Sequence, residues 1–540
     1  MAVARPSGPL PSLRHYWRSN VAVVLTAAVA TSVLTGALMV GDSVRGSLRQ
    51  LTLDRLGGID HALRGAGFFS EGRRVALAVD AGFTARDGPV SAGILMQGSV
   101  VEPESGRRAA RVNVQGIDDE FGSFFQGVAE QLDLSRRDGQ LFASLAVNRS
   151  LAEALAVETG DSVVLYLERP SEAPRASLMG EKDPEDQLES MRLSVVSVLD
   201  DAGPGRFQLA PHQSQPLVGY VRLRDLQREL DRRGLANALL VGELAESGEP
   251  ETAALDLEQR IRSHAQAADF SLAFAEAEGH LRVSSSQIVF AEELAEAVEV
   301  LARDQGVEAI GVSTYLANRT AAANGAAAPY STIAALDTGR AGELGVLRLA
   351  DGRPAPSLGE GEVLVNTFLA EDLGVGEGDR LAIDYFVIGD REQLVERTVR
   401  TIVAGVVEMT DWASDRNLTP DFPGVADADN MSDWDPTFPV DLSRIRDQDE
   451  AYWDEHRGTP KLFVSLEYGA ELWSSRFGLL TSFRLLPAEG DSPGRLRAAL
   501  EGEAPERVEL HAAGLAVEAV KAAGLRGATG ATDFGGLFIG

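Results

Sequence analysis

Residues Val21 to Val40 read VAVVLTAAVATSVLTGALMV, twenty positions without a charge, a side-chain amide or a proline. Twenty helical residues rise about 30 Å, the thickness of the hydrocarbon core of a bilayer. The six valines and three leucines each favour insertion by roughly 0.3–0.6 kcal/mol near a helix centre, about 3–5 kcal/mol together. Thr, Ser and Gly offset part of that gain. The stretch predicts a transmembrane helix over residues 21–40. A cleaved signal peptide is one alternative, because Ala28-Val29-Ala30 suits the small-residue cleavage rule. Cutting there, however, leaves a very short apolar core and strands ten apolar residues on the mature chain. A buried helix of a soluble domain is the other alternative.

The flanks assign a direction. Arg14, His15, Tyr16, Trp17 and Arg18 place arginines beside aromatic residues immediately before the span, the pattern of a cytoplasmic interfacial belt. Residues 1–20 are therefore read as a cytoplasmic basic N-terminus, and Asp42 onward as extracytoplasmic. Val44, Leu48, Leu51 and Leu56 recur at roughly helical spacing, so the membrane helix is expected to extend into the outer domain.

Charge sharpens this division. The first 41 residues hold Arg5, Arg14 and Arg18 and no acid, so the remainder carries 81 acidic against 47 basic residues. Such a surface repels nucleic acid and anionic lipid. The chain has no cysteine, which excludes disulfides, thiolate metal sites and thiol nucleophiles. Its 540 residues suffice for two to four ordinary domains.

Beyond the span the sequence matches itself. Val147–Val163, VNRSLAEALAVETGDSV, aligns without a gap to Val365–Leu381, VNTFLAEDLGVGEGDRL. Leu63 and Arg64 align with Leu281 and Arg282 at the same offset, and Ile117-Asp118 with Leu336-Asp337 one residue further. Val221 aligns with Val464, and residues 409–458 supply the added length. This predicts a mixed α/β (α+β) chain: one N-terminal transmembrane helix followed by two tandem, internally duplicated α/β domains. Their expected limits are 41–275 and 276–510. Each copy reads as a strand, an amphipathic helix (Ser286–Arg303 in the second copy) and two strands near Val90–Val101 and Ala110–Ile117, or Val307–Ser313 and Tyr330–Leu336. A helix over Ala146–Ala156 or Val365–Leu373 follows, then a Gly-Asp turn into two further strands. A period of this length is too long for a solenoid or propeller.

The insertion 409–458 is rich in Asp and Pro and holds Trp412, Trp434, Phe438 and Trp453. Those aromatics argue for docking on a surface rather than disorder. Leu515 to Ala523 reads as helical. Residues 511–540 end on apolar residues and read as the lead-in to a second membrane span that the chain does not reach.

Few motifs carry chemistry. No phosphate-binding loop is present, since none of Lys182, Lys461 and Lys521 follows a glycine. The histidines, at 15, 61, 212, 264, 280, 456 and 511, form no HExxH and no close pair. Gly490-Asp491-Ser492-Pro493-Gly494 has the letters of a nucleophile elbow, but Ser before Pro is also a helix cap with proline at the first helical position. The acidic run from Asp411 to Asp454 offers hard oxygen ligands for calcium, yet lacks the spacing of a calcium loop. Gly160-Asp161 and Gly378-Asp379 read as turns. No catalytic, cofactor-binding or metal-binding residue is assigned.

The start LRHYWRSNVAVVLTAAVATSVLTGALMVGDSVRGSL, the doubled VNxxLAxxLxVxxGD with its VVSVL or IVAGVVEM strand, and DWDPTFPVDLSRIRDQDEAYWDEHRGTPKLFVSLE together resemble the permease subunit of FtsX/MacB-type ABC transporters. The resemblance implies periplasmic-core-like outer domains and a place in the bacterial inner membrane. It also implies a separate cytoplasmic ABC ATPase that supplies the hydrolysis. Further implied partners are membrane lipid, a second copy or a related permease, and a periplasmic adaptor. Motion relayed to the outer domain would export or extract a lipid, lipoprotein, peptide or drug, or instruct an envelope enzyme. Three later helices that carry the ATPase coupling in the family are absent from this sequence, and the doubled outer domain departs from simpler members. A membrane-anchored binding or sensor domain is the alternative; an anchored hydrolase using Ser492 or the acidic run is a third.

Overall fold

The computed structural model describes residues 16–78, 88–128, 131–136, 140–169, 188–210, 214–244, 249–389, 393–426, 428–436, 438–488 and 490–528. Arg5, Arg14 and His15 at the N-terminus, and the apolar run 529–540, lie outside those residues.

The helix α1 (Trp17–Leu56) is continuous over 40 residues, about 60 Å at 1.5 Å per residue. Its extension past residue 40 is as expected from the apolar spacing. None of its most apolar 18-residue window is covered by the described fold, unlike a core helix of a soluble domain, whose apolar stripe packs inward. Gly57 ends α1 at φ +53, and its N–H donates to the Leu53 carbonyl at 2.9 Å. A Cβ there would lie 2.6 Å from the Phe124 carbonyl oxygen, so the close approach requires glycine.

The body contains two runs of elements. The first begins β1 (His61–Ser70), α2 (Gly72–Ala78), β2 (Val90–Val101), β3 (Arg108–Ile117), β4 (Ala143–Asn148), α3 (Arg149–Leu155) and β5 (Ser162–Glu168). It continues β6 (Leu188–Leu199), β7 (Val218–Arg222), α4 (Leu223–Glu229), β8 (Leu235–Val241), α5 (Pro250–Ser263) and β9 (Leu272–Ala277). The second begins β10 (His280–Ser285), α6 (Glu292–Asp304), β11 (Glu308–Ala322), β12 (Ala327–Leu336), α7 (Thr338–Glu343), β13 (Glu362–Asn366), α8 (Thr367–Leu373) and β14 (Arg380–Ile388). It continues β15 (Leu394–Val407), α9 (Asp447–His456), β16 (Leu462–Ser465), α10 (Leu466–Trp473), β17 (Ser482–Leu486), α11 (Pro493–Arg507) and β18 (Leu515–Glu518). The helix α12 (Val520–Ala528) follows.

Two sheets result, and their strands correspond one to one. The first runs β18-β1-β8-β2-β3-β7-β4-β6-β5, and β5 also pairs with β2, closing six strands into a barrel. The second pairs β9-β10-β17-β11-β12-β16-β13-β15-β14, and β14 closes onto β11 in the same way. Parallel pairs fall in the same places: β3–β7 and β4–β6, β12–β16 and β13–β15.

The outermost strand of each sheet comes from the other run. β9 ends the first run yet pairs with β10, and β18 ends the second yet pairs with β1. The expected limit at 275/276 therefore falls inside β9, and β18 lies beyond the expected limit at 510. The two runs also share the largest apolar core. Leu63 of β1, Leu239 of β8, Leu257 of α5, Leu294 of α6, Phe483 of β17 and Leu500 of α11 all belong to it.

Several sequence expectations need correction. Residues 146–148 and 365–366 end strands rather than start helices. The helices begin after Asn148 and Asn366, whose side chains accept from the Leu151 and Leu369 N–H groups at 3.1 and 2.8 Å, as N-caps do. The helix placed at Ser286 begins at Glu292, because Ile288 sits at φ +66 and Phe290 N–H donates to Leu480 O at 2.8 Å. Leu515–Glu518 is strand, not helix, because β1 offers it an edge. The alignment of Arg64 with Arg282 is two residues out. Arg64 faces Ala238, which faces Gly93, while Ser284 faces Ser482, which faces Val312. The β-ladders thus equate Arg64 with Ser284.

The insertion 409–458 is folded onto the second barrel. Phe422, Met431, Trp434, Phe438 and Trp453 are buried with Ile288, Leu316 and Tyr330. The rings of Trp434 and Trp453 meet edge to face at 5.0 Å and 73°.

Candidate functional site at the base of the long helix

The last turn of α1 is where the helix becomes part of the body. Thr52, Arg55 and Leu56 are buried there. Leu56 packs with Ile59, Phe121, Phe124, Phe125, Phe207, Tyr220 and Val520 in a separate core. The rings of Phe121 and Phe207 meet edge to face at 5.3 Å and 72°. Polar contacts fix the angle at which the helix leaves. Asp54 accepts from Gly203 N–H at 2.9 Å, and Gly58 N–H donates to Phe124 O at 2.7 Å.

Arg55 is the unusual group. Its Nη1 donates to the carbonyls of Gln208 at 2.7 Å and Leu209 at 3.4 Å, and also to Ala210. Burial lowers its proton affinity below the ordinary arginine value. Three carbonyls gather on Nη1 alone, which clamps residues 208–210 to the helix, while the buried Nη2 has no hydrogen-bond partner among the described residues.

The far end of the body returns to the same place. α12 lies against α1, and a Cβ on Gly524 would sit 2.8 Å from Thr52 Cγ2 and 3.3 Å from Arg55 Nη2. Lys521 pairs with Asp60, and its N–H donates to Asp60 O at 3.2 Å. From Val520 through Gly524, α12 advances as α1 recedes from Ile59 through Leu56 to Thr52, so the two helices run antiparallel. The base of α1 is therefore packed against both the start of the first run and the end of the second. The sequence reading missed Arg55, Asp60, Lys521 and Gly524. The signal was there in Lys521, one of three lysines in the chain.

Two buried ionic nodes hold the insertion. Asp449 is fully buried, accepts from Arg446 Nε and Nη2 at 2.7 Å each, and lies 3.8 Å from Lys461 Nζ. Arg446 also grips Asp372 on α8, at 2.7 Å. Burial lowers the Lys461 amine to about 8, with Asp449 and Asp372 opposing the shift; its Nζ lies 4.5 Å from the Tyr452 ring centroid. At the second node Arg484, fully buried on β17, donates to Asn417 O at 2.6 Å and Asp415 at 3.2 Å.

The motifs considered for chemistry have structural partners. Ser492 Oγ accepts from Arg495 N–H at 3.3 Å as the cap of α11. Asp161 and Asp379 accept from Glu158 and Gly376 N–H at 2.8 and 2.9 Å in matching turns. Asp415, Asp441 and Asp449 of the acidic run pair with Arg484, Arg444 and Arg446. Among the described residues, no three acidic or histidine side chains converge as metal ligands. His212 lies outside the described residues.

No protein-family model matches the chain, and no curated protein matches it. Solved structures match parts of the chain. The periplasmic region of MacB from Actinobacillus actinomycetemcomitans matches at 12% identity and a TM-score of 0.24, over 39% of this chain and 88% of that one. The extracellular domain of the ABC-type transporter YknZ from Gram-positive bacteria matches at 14% identity and a TM-score of 0.20, over 35% and 83%.

Proposed function

We propose that this chain is the anchor and outer body of a permease of the FtsX/MacB type, working with a separate cytoplasmic ATPase. The observation that carries the reading is the geometry of α1. Its uncovered apolar stretch over 21–40 is long enough to cross a bilayer, and its other end is built into the body between residues 203–210 and α12. A helix held this way transmits displacement or rotation rather than tethering a loose domain. The matching strand orders support an origin by duplication, and the sequence motifs quoted above support the family. In this reading the N-terminus is cytoplasmic, membrane lipid surrounds 21–40, and the chain pairs with a second copy or a related permease. A periplasmic adaptor completes the assembly, and ATP hydrolysis belongs to the partner subunit.

The test is extraction of the chain from native membranes in mild detergent, with assay of the complex for ATP hydrolysis. Co-purification of an ATP-hydrolysing subunit, with no hydrolysis by the chain alone, is the expected result. Recovery of the chain without any ATPase, at native expression and in several detergents, would remove the permease role.

A further inference from the structure

The first barrel carries an open cleft of about 340 Å³ whose lining includes the side-chain amides of Gln97, Asn113, Gln115, Gln208 and Asn237. This volume lies near the lower end of the ~300–1,000 Å³ range of ligand pockets. In the β2–β3 register Leu95 faces Gln115 and Gln97 faces Asn113, so all four stand on one face. Gln115 is only 4% exposed, and its Oε1 has no hydrogen-bond partner. A buried acceptor left unpaired costs about 1–3 kcal/mol. The cleft opens where the sheet splits at Ala238. β1 pairs with it at Arg64 and then slips, while β2 pairs with it at Gly93. Beyond that point the Asn237 side chain takes over from the backbone, accepting from Leu95 N–H at 2.8 Å and donating to Leu95 O at 3.1 Å. The far wall is residues 207–210, the segment clamped by Arg55.

The second barrel shows what covers such a face. The ladders equate Leu95, Asn113, Gln115 and Asn237 with Thr314, Thr332, Ala334 and Thr481. Thr481 Oγ1 accepts from Thr314 N–H at 3.2 Å, the counterpart of the Asn237 bond. There the face is occupied by the chain itself. Thr314 donates to Leu418 O at 2.6 Å, Thr332 donates to Gly458 O at 2.9 Å, and Arg484 holds Asn417 O. These carbonyls belong to the long 408–461 connection between β15 and β16. In the first barrel the corresponding connection between β6 and β7 is only 200–217, and its described residues 207–210 form one wall of the cleft.

We infer that this cleft binds an extended peptide segment of a partner protein, seated as residues 417–419 and 458–459 are seated on the second barrel. The free amides of Gln97 and Gln115, which stand where the second barrel has Leu316 and Ala334, supply both donors and acceptors to a peptide backbone. Arg64 is the one ionised group in the lining, and it lies 3.6 Å from Glu518, so the segment is near neutral. A carbohydrate is the poorer fit, because the lining aromatic, Phe207, is fully buried and offers no ring face for stacking. The inference does not depend on α1 crossing a membrane.

The experiment is to pan a phage-displayed library of linear peptides on the full chain in detergent and measure binding of the enriched sequences. The expected result is saturable binding that the Gln97→Ala/Gln115→Leu double variant weakens at least about tenfold, with an unchanged unfolding midpoint. Gln115→Leu removes an acceptor that has no partner, so the fold tolerates it. In the unmodified chain, bound peptide should slow hydrogen exchange at 95–97 and 207–210. Absence of any enriched sequence, equal binding by the variant, or protection only elsewhere would overturn the inference.

Discussion

Phe483→Ala is expected to destabilise the protein by about 3–5 kcal/mol and to loosen both barrels together. Phe483 is fully buried on β17, which pairs with β11 of the second barrel, and its ring meets Phe290 edge to face at 5.3 Å and 78°. The apolar core that holds it also contains Leu63 of β1 and Leu257 of α5, so groups of both runs share one cluster. The exchanged strands add backbone pairing to this shared packing: β9 depends on β10, and β18 on β1. Cavity formation on one side should therefore be felt on the other. Native-state hydrogen exchange reads this directly at Val114 on β3 and Ile333 on β12, one buried strand residue in each barrel. Acceleration of both amides by the same factor is expected. Acceleration at Ile333 alone would mean that the runs fold as independent units.

Asp449→Ala should cost a similar amount, about 3–5 kcal/mol, because it breaks a buried ion pair by removing one side. Arg446 keeps Asp372, but Lys461 loses its nearer carboxylate inside a buried site. The penalty should depend on pH with a definite sign. The Lys461 amine is lowered to about 8 in the fold, below its value in the unfolded chain, so stability rises as pH rises from about 8 towards the ordinary lysine value. Removing Asp449 lowers the folded-state value further. The variant then suffers most below about pH 8, where the amine is forced to shed its proton or stay charged, and less at about pH 9, where it is already neutral in both proteins. Urea midpoints at the two pH values check this. A penalty equal at both would show that Lys461 does not contribute to it.

The long helix and the strand positions were legible because each is written locally, whereas the paired Asn caps were read as helix interior. A run of apolar residues, an alternation of period two, or VNxxLA followed by GD needs no distant partner to be read. The aromatic residues of 409–458 were legible as a docked surface for the same reason, since Trp434 and Trp453 must be covered by something. Exchange of the end strands was not legible, because pairing between β1 and β18 joins residues more than four hundred positions apart. A closer self-comparison carried a trace of it: LAFAEA from Leu272 resembles LAVEAV from Leu515, and both segments are strands that enter the other run's sheet. The two-residue error at β1 arose because Leu-Arg in HALR and HLR matches by letter, whereas the ladder is set by Ala238 and Ser482. The Arg55 clamp and the amide cleft were invisible, since ordinary Arg, Gln and Asn residues acquire meaning only when carbonyls and strand faces converge on them.

The account turns on α1 crossing the membrane with the two barrels outside, and the cysteine-free sequence allows that to be measured cleanly. Single cysteines at Ser19, before the apolar stretch, and at Ser105, in the exposed turn between β2 and β3, are treated with a membrane-impermeant thiol reagent in spheroplasts. The account predicts that Ser105→Cys is labelled in intact spheroplasts, whereas Ser19→Cys is labelled only after the membrane is opened. Protection of Ser105→Cys in intact spheroplasts, or recovery of the chain from the soluble fraction with both sites equally reactive, would contradict it.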